Sequence, residues 1–188
     1  MSYRSACVCS SYVRELQIRW RNRSREGPYC CVIDSTACPL HRPSTMSRSF
    51  YSPKHHAYVY KYEVAVHPDP PHHIVWVLGP VRGHIHDITI ARAAFIKRLV
   101  PEERALGDLG YLGEPHAIVT PIRSPVTQEE KHENKELHAV RSCVEREFAA
   151  LKTFAVLRTS WRGELQNHGP AFLACCVLRE LAKVVKWR

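Results

Sequence analysis

Ala57-Tyr58-Val59-Tyr60-Lys61-Tyr62-Glu63-Val64-Ala65-Val66-His67 alternates along its whole length. Tyr58, Tyr60, Tyr62, Val64 and Val66 point one way; Val59, Lys61, Glu63 and Ala65 point the other. A period of two is the mark of a β-strand, whose side chains leave opposite faces in turn. Pro68, Pro70 and Pro71 break the strand and turn the chain. His73 to Leu78 follows as a second apolar strand, closed by Gly79-Pro80. So short a connection favours an antiparallel pair. Upstream, Cys30-Cys31-Val32-Ile33-Asp34 is an apolar run that ends in an acid. It predicts a buried strand with Asp34 at its C-terminal edge. From Pro39 through His41, Pro43 and Ser44 to Ser52 the composition is that of a loop.

Downstream, Gly83 leads into a helix from about Asp87, with Ile88, Ala91, Phe95 and Leu99 on one face and Pro101 as its stop. Residues 105–112 predict a short strand with Asp108 at its edge, and residues 117–122 another. Thr127 and Glu130 fit a capping box at the start of a long helix. Its apolar stripe is Leu137, Val140, Val144, Phe148, Leu151 and Ala155, with Glu145 beside the stripe. A last helix over about 171–185 has Leu173, Val177, Leu181 and Val184 as its expected buried face. The order β, β, β, α, β, β, α, α predicts an α/β fold: a ribonuclease H-like mixed five-stranded sheet flanked by helices. In such a sheet the first and fourth strands are neighbours. Asp34 and Asp108 then approach one another, and Glu145 can close the cluster from the following helix.

The chain has 188 residues, enough for one domain with a sizeable core, and 45% of them are hydrophobic, which argues against disorder. Lys and Arg number 27 against 18 Asp and Glu, for a net charge of +9. That surplus suits a polyanionic partner such as DNA or RNA, although many small proteins are basic without one. Eight Cys include two adjacent pairs and one C-x-C, which is not zinc-ribbon spacing. Reduced, mostly buried thiols in a reducing compartment are expected. No apolar run is long enough to span a membrane.

With so few acids, those set in distinctive contexts stand out: Asp34, Asp87, Asp108 and Glu145. Carboxylates suit Mg²⁺ or Mn²⁺, which take oxygen ligands, and such a site in a basic protein suggests phosphodiester chemistry. Each acid also has a plainer role open to it. Asp87, before a helix, fits an N-cap. Glu145 fits a surface ion pair with Arg141, one turn away.

Together these residues resemble the DDE transposase catalytic domain of the PIF/Harbinger type, a pattern shared by related insertion-sequence transposases and domesticated Harbinger-derived nucleases. Ile33-Asp34-Ser35-Thr36 is similar to the family's first-strand Asp segment. Tyr51 to Lys54 and Lys61 resemble its "fYs-K…K" segment, and the run from Gly79 to Asp87 its "G-x-x-x-G-S-x-H-D" motif. Gly107-Asp108-Leu109-Gly110-Tyr111 resembles "G/A-D-x-G-Y". Arg141, Val144, Glu145, Leu151, Lys152 and Phe154 follow "R-x-x-V-E-x-x-x-x-x-L-K-x-F". The resemblance implies Asp34, Asp108 and Glu145 as the catalytic triad, with Asp87 a fourth acid at or near the metals. It implies two divalent ions, Mg²⁺ or Mn²⁺, held by Asp34, Asp87, Asp108 and Glu145.

The expected function is a metal-dependent DNA endonuclease or transposase domain that cuts phosphodiester bonds at transposon ends by two-metal-ion catalysis, with strand transfer as a further step. Lys61, Arg82, Arg141 and Lys152 are candidate DNA-phosphate contacts, with a solvated face the alternative for each. The competing expectation is a domesticated, catalytically silent DNA- or protein-binding module; a third is a basic domain holding structural zinc. Residues 29–188 form the expected DDE endonuclease domain. Residues 1–28 form an N-terminal basic segment, in which Arg19, Arg21, Arg23 and Arg25 surround Trp20 and a solvated helix end is preferred to a DNA-binding arm. The family's helix-turn-helix region finds little length upstream. The resemblance implies DNA, further copies of the chain and a separate DNA-binding protein as partners. The expected location is the nucleus of a eukaryote or the cytoplasm and nucleoid of a bacterium.

Overall fold

The alternating stretch forms the middle of a mixed sheet. The computed structural model describes residues 28–44 and 47–184. The Arg19–Arg25 tract lies outside the described residues. Strand β1 (Cys31–Pro39) pairs antiparallel with β3 (Ala57–Val66), which pairs antiparallel with β4 (Ile74–Arg82). On its other edge β1 pairs in parallel with β5 (Ala105–Leu106), and β5 in parallel with β6 (Ile118–Val119). The sheet has six strands where five were expected. The extra one, β2 (Tyr51–Ser52), pairs with the start of β3 and lies in a stretch expected to be loop. Short helix α1 (Ser47–Phe50) precedes it, with Phe50 buried edge-on against Tyr60. The expected neighbours, first and fourth of the predicted strands, are the parallel pair β1 and β5.

Strand lengths differ from expectation in ways that shape the site. β1 is nine residues long, so Asp34 sits inside it and not at its end. β5 has only two residues, and the chain leaves the sheet just before Asp108. On the edge facing β5, β1 is paired at Cys31 and Val32, and again further along, where Leu40 bridges Trp161 in parallel. Between these points no strand lies alongside among the described residues. The Lys152 ammonium reaches in to donate to the Ala37 carbonyl, and bonds the Leu157 carbonyl at 3.2 Å.

Both faces of the sheet are covered. One carries Val32, Tyr62, Val64 and Val66 against α3 (Gln128–Leu151) and α5 (His168–Val184); short helix α4 (Ala155–Arg158) lies between them in sequence. The other carries Ile33, Ala65 and Trp76 against Phe95 and Tyr111. Phe95 belongs to a π turn, Ala91–Phe95, that continues α2 (Asp87–Ile90). Burial therefore runs unbroken from Val59 to His67, and the Lys61 and Glu63 side chains are enclosed along with the apolar ones.

The long helix α3 begins with the expected capping box. The Thr127 hydroxyl accepts the Glu130 N–H, and the Glu130 carboxylate accepts the Thr127 N–H. Leu137, Val144 and Leu151 of its stripe are buried, while Ala155 falls beyond its end. The last helix departs from expectation. It buries Phe172, Cys175, Cys176 and Glu180, and leaves Leu181 at 54% and Val184 at 68% exposure. Glu180 sets this rotation. Its carboxylate accepts the Ile74 N–H at 3.0 Å, contacts His73 Nδ1 at 2.5 Å and pairs with Lys183 at 2.7 Å. Beside it Glu147 of α3 pairs with Arg179 and with Lys183, each at 3.0 Å. No helix among the described residues is long and apolar enough to cross a membrane.

Candidate active site

Three of the four singled-out acids gather where β1 outruns β5. Asp34 faces the α3 side, where its Oδ2 lies 3.8 Å from Arg141 Nη2, and its Oδ1 accepts the Ser35 N–H at 2.7 Å. Burial pushes its carboxyl up to about 6, and the Asp108 charge adds to that. The Ser35 N–H and the Arg141 guanidinium oppose the rise, and Asp87 reinforces it. Asp34 is thus short of positive charge despite its arginine neighbour.

Asp108 follows the last residues of β5 and caps the 3₁₀ turn Leu109–Tyr111, accepting the Gly110 N–H at 2.8 Å. A Cβ on Gly110 would stand 2.9 Å from Asp108 Oδ1 and 3.3 Å from Asp87 Oδ2. The bare glycine lets both carboxylates close on one stretch of backbone.

Asp87 does not cap its helix as the cap reading expected. It is the first helical residue, and the N-cap, His86, makes no side-chain cap bond. The Asp87 carboxylate turns instead to the sheet. Its Oδ1 accepts the Ser35 hydroxyl at 2.6 Å and pairs with Lys61. Lys61 also donates to the Ile85 carbonyl at 2.8 Å. Successive residues of a strand face opposite ways. Asp87 therefore holds Ser35 from one face of β1, while Arg141 meets Asp34 from the other.

Glu145 is exposed on α3, one turn beyond Arg141, and Arg141 turns to Asp34 instead of to Glu145. Of the four candidate phosphate contacts, Arg82 is exposed, with its guanidinium 5.5 Å from the centre of the Phe50 ring. Lys61 is buried against Asp87, Arg141 is mostly buried, and Lys152 is engaged by carbonyls of β1 and α4.

Two groups at the site were not singled out from sequence. Glu63 is fully buried, and its Oε1 accepts the Trp76 indole N–H at 3.2 Å. Burial raises its carboxyl to about 8, against the lowering effect of that bond, and Asp87 adds to the rise. Tyr111 is buried with its hydroxyl unpaired, and burial followed by the Glu63 charge pushes its phenol well up. The detectable signal was charge within a strand whose two faces are otherwise apolar or aromatic.

Among the described residues no three His, Cys, Asp or Glu converge as a ready metal cage. The donor chemistry of Asp34 and Asp108 nevertheless fits a hard divalent ion. Both offer carboxylate oxygens, and they repel each other. Mg²⁺ needs only one or two protein carboxylates, filling its shell with water and substrate phosphate. The six described cysteines are free and buried, in line with the expected buried thiols.

The fold is thus a mixed sheet with Asp34 and Asp108 set beside its parallel pair β1 and β5. The family model described as DDE superfamily endonuclease matches residues 33–180, and the chain belongs to that family. Endonucleases of this superfamily generally depend on a divalent metal. The chain is 29% identical over 145 residues to a protein of Microchaete diplosiphon described as "Probable transposase for insertion sequence element IS702". The match takes in 73% of this chain and 51% of the relative, so the chain spans about half the length of the curated relative it matches. No solved structure matches.

Proposed function

We propose that the chain is a DDE transposase catalytic domain of the PIF/Harbinger type, with a ribonuclease H-like fold, that cuts DNA at the ends of a mobile element. The observation that carries this reading is the approach of Asp34 and Asp108 beside β1 and β5, with the Asp34 carboxyl pushed up to about 6 by burial and by its partner's charge. Asp34 and Asp108 would hold a divalent ion, Mg²⁺ or Mn²⁺, with Glu145 completing the set from α3; the family expectation is two ions. Bound there, the metal supplies positive charge at the scissile phosphate and acidity to an attacking water.

The protein's own residues orient the parts. The Ser35 N–H fixes one oxygen of Asp34, and Arg141 balances part of its charge. Asp87, neutralised by Lys61, holds Ser35 from behind and lies against Gly110, whose N–H fixes Asp108. Asp87 is thus placed as a positioning residue for both carboxylates. In the reaction a water oxygen bonds to phosphorus as the 3′ oxygen leaves and takes up a proton. The products are a 5′ phosphate and a 3′ hydroxyl. Strand transfer is the same displacement with a 3′ hydroxyl in place of water. Joining two element ends would engage further copies of the chain.

Nicking of a supercoiled plasmid bearing the element ends tests this reading. Wild type should nick only with Mg²⁺ or Mn²⁺ present, and Asp108→Asn and Glu145→Gln should not nick. Undiminished nicking by folded variants would remove these residues from the chemistry. A wild type that binds DNA and never nicks would mark a silent binding module.

A further inference from the structure

The sequence from residue 35 to 62, and again from 70 to 86, contains no Asp or Glu. The first span includes the β2–β3 hairpin, whose turn carries exposed Lys54, His55 and His56. The second ends in the β4–α2 connection, with exposed Arg82, His84 and His86. The fold sets the second loop against α1, which leads directly into β2 and the hairpin. His84 Nδ1 meets the Ser49 carbonyl at 2.5 Å, and Arg82 lies over Phe50. A Cβ on Gly83 would stand 2.4 Å from the Phe50 carbonyl oxygen, so the two segments touch backbone to backbone. The result is one acid-free, hydrogen-bond-donating rim.

That rim borders the candidate site. Burial and then the charges of Lys54 and Lys61 push the His55 imidazole down, with Asp87 opposing, and Lys61 itself bonds Ile85 within the second loop. The far end of the sheet is of mixed charge. There Asp69, Glu136 and Arg146 line a groove of about 440 Å³ with Tyr29 and His72. A polyanion approaching the carboxylates would be repelled by them unless cations beside them drew it in. Lys61, Arg141 and Lys152 are engaged inside the protein, whereas the rim residues are exposed.

We infer that the rim formed by the hairpin turn, at Lys54, His55 and His56, and by Arg82, His84 and His86 grips the phosphate backbone of the DNA strand presented to Asp34 and Asp108. The inference rests on the proposed function only in taking DNA as the polyanion.

Binding of a labelled DNA duplex, followed by fluorescence anisotropy in EDTA, tests the rim apart from cutting. The parent is the full chain carrying Asp108→Asn. Each cation that meets a phosphate contributes roughly three- to tenfold in affinity at about 0.1 M salt, and close to one unit in the slope of log affinity against log salt. Lys54→Ala and Arg82→Ala should each show losses of about that size, and Lys54→Arg should retain binding. Lys131→Ala with Lys135→Ala, on the exposed first turns of α3, should change neither quantity. Rim variants that keep the parent's affinity and slope would overturn the inference, as would a parent that does not bind DNA. A wild type that binds through the rim but never nicks sinks the nuclease reading alone. One that nicks with binding indifferent to the rim sinks the rim alone.

Discussion

Two groups of buried acids lie in this protein, and they are handled in opposite ways. At the α5 end, Glu147 and Glu180 are met by Arg179, Lys183, His73 and the Ile74 N–H. At the β1–β5 end, Asp34 faces Asp108, and Glu63 has one oxygen with no partner. The first arrangement ties two helices to the edge of the sheet. The second leaves one carboxyl crowded by another and a buried carboxyl oxygen without a partner, so protons are held there more tightly than usual, a pattern that clusters at functional sites. Glu145 and Glu147, two residues apart on α3, show the division: the former is exposed and the latter nearly sealed.

Glu147→Ala strikes this contrast hardest. It takes the carboxylate from Arg179 and leaves Lys183, whose side chain is 4% exposed, with Glu180 as its remaining acid. Unfolding stability in urea titration should fall by about 3 kcal/mol. Asp108→Asn should do the reverse. It should abolish metal-dependent nicking by more than about a hundredfold, equivalent to about 2.7 kcal/mol of barrier. The urea midpoint should stay unchanged or rise, because Asp34 loses its repelling neighbour.

The two regions should also respond to pH with opposite signs. Glu63 has a folded pKa raised to about 8 from 4.5, so the folded state binds its proton more tightly than the unfolded state does. Its stabilising effect is complete below about pH 4.5 and is lost as pH climbs to about 8. For Glu180, burial pushes upward, but the Ile74 N–H, Lys183 and His73 outweigh it and the pKa is lowered. Its contribution is present above the unfolded value and disappears as pH falls through the folded one. Stability measured against pH should therefore flatten on the neutral side in Glu63→Gln and on the acid side in Glu180→Gln. Slopes of the same sign in both variants would erase the distinction. The smallest effect belongs to neither region: Thr127→Ala removes half of the α3 capping box and should lower stability by about 1 kcal/mol in the same titration.

Local rules carried much of the fold. Alternation found β3, the prolines found its end, and Thr127 with Glu130 found the start of α3. Failures came where tertiary partners decided the outcome. The apolar stripe of α5 pointed to Leu181 and Val184, but Glu180 has more to gain from burial because its partners lie on the sheet side. Asp87 looked like a cap because sequence shows its helix and not Ser35, 52 positions away. Lys61 and Lys152 looked like surface cations because nothing local reveals the carboxylate and carbonyls that take up their donors. Asp34 and Asp108 were legible as neighbours because strand order alone brings them together.

The unequal lengths of β1 and β5 have a last consequence. Between the β5 pairing at Val32 and the Trp161 bridge at Leu40, the edge of β1 is a sill without a neighbouring strand among the described residues. At about 3.3 Å per residue, the stretch from Ile33 to Cys38 makes an opening roughly 20 Å long. Lys152 acts as a stud within it, occupying the Ala37 carbonyl that another strand would otherwise have bonded. Extending β5 by a few residues would complete the hydrogen-bond ladder and shutter the opening, so the doorway to the carboxylates is an unfinished sheet.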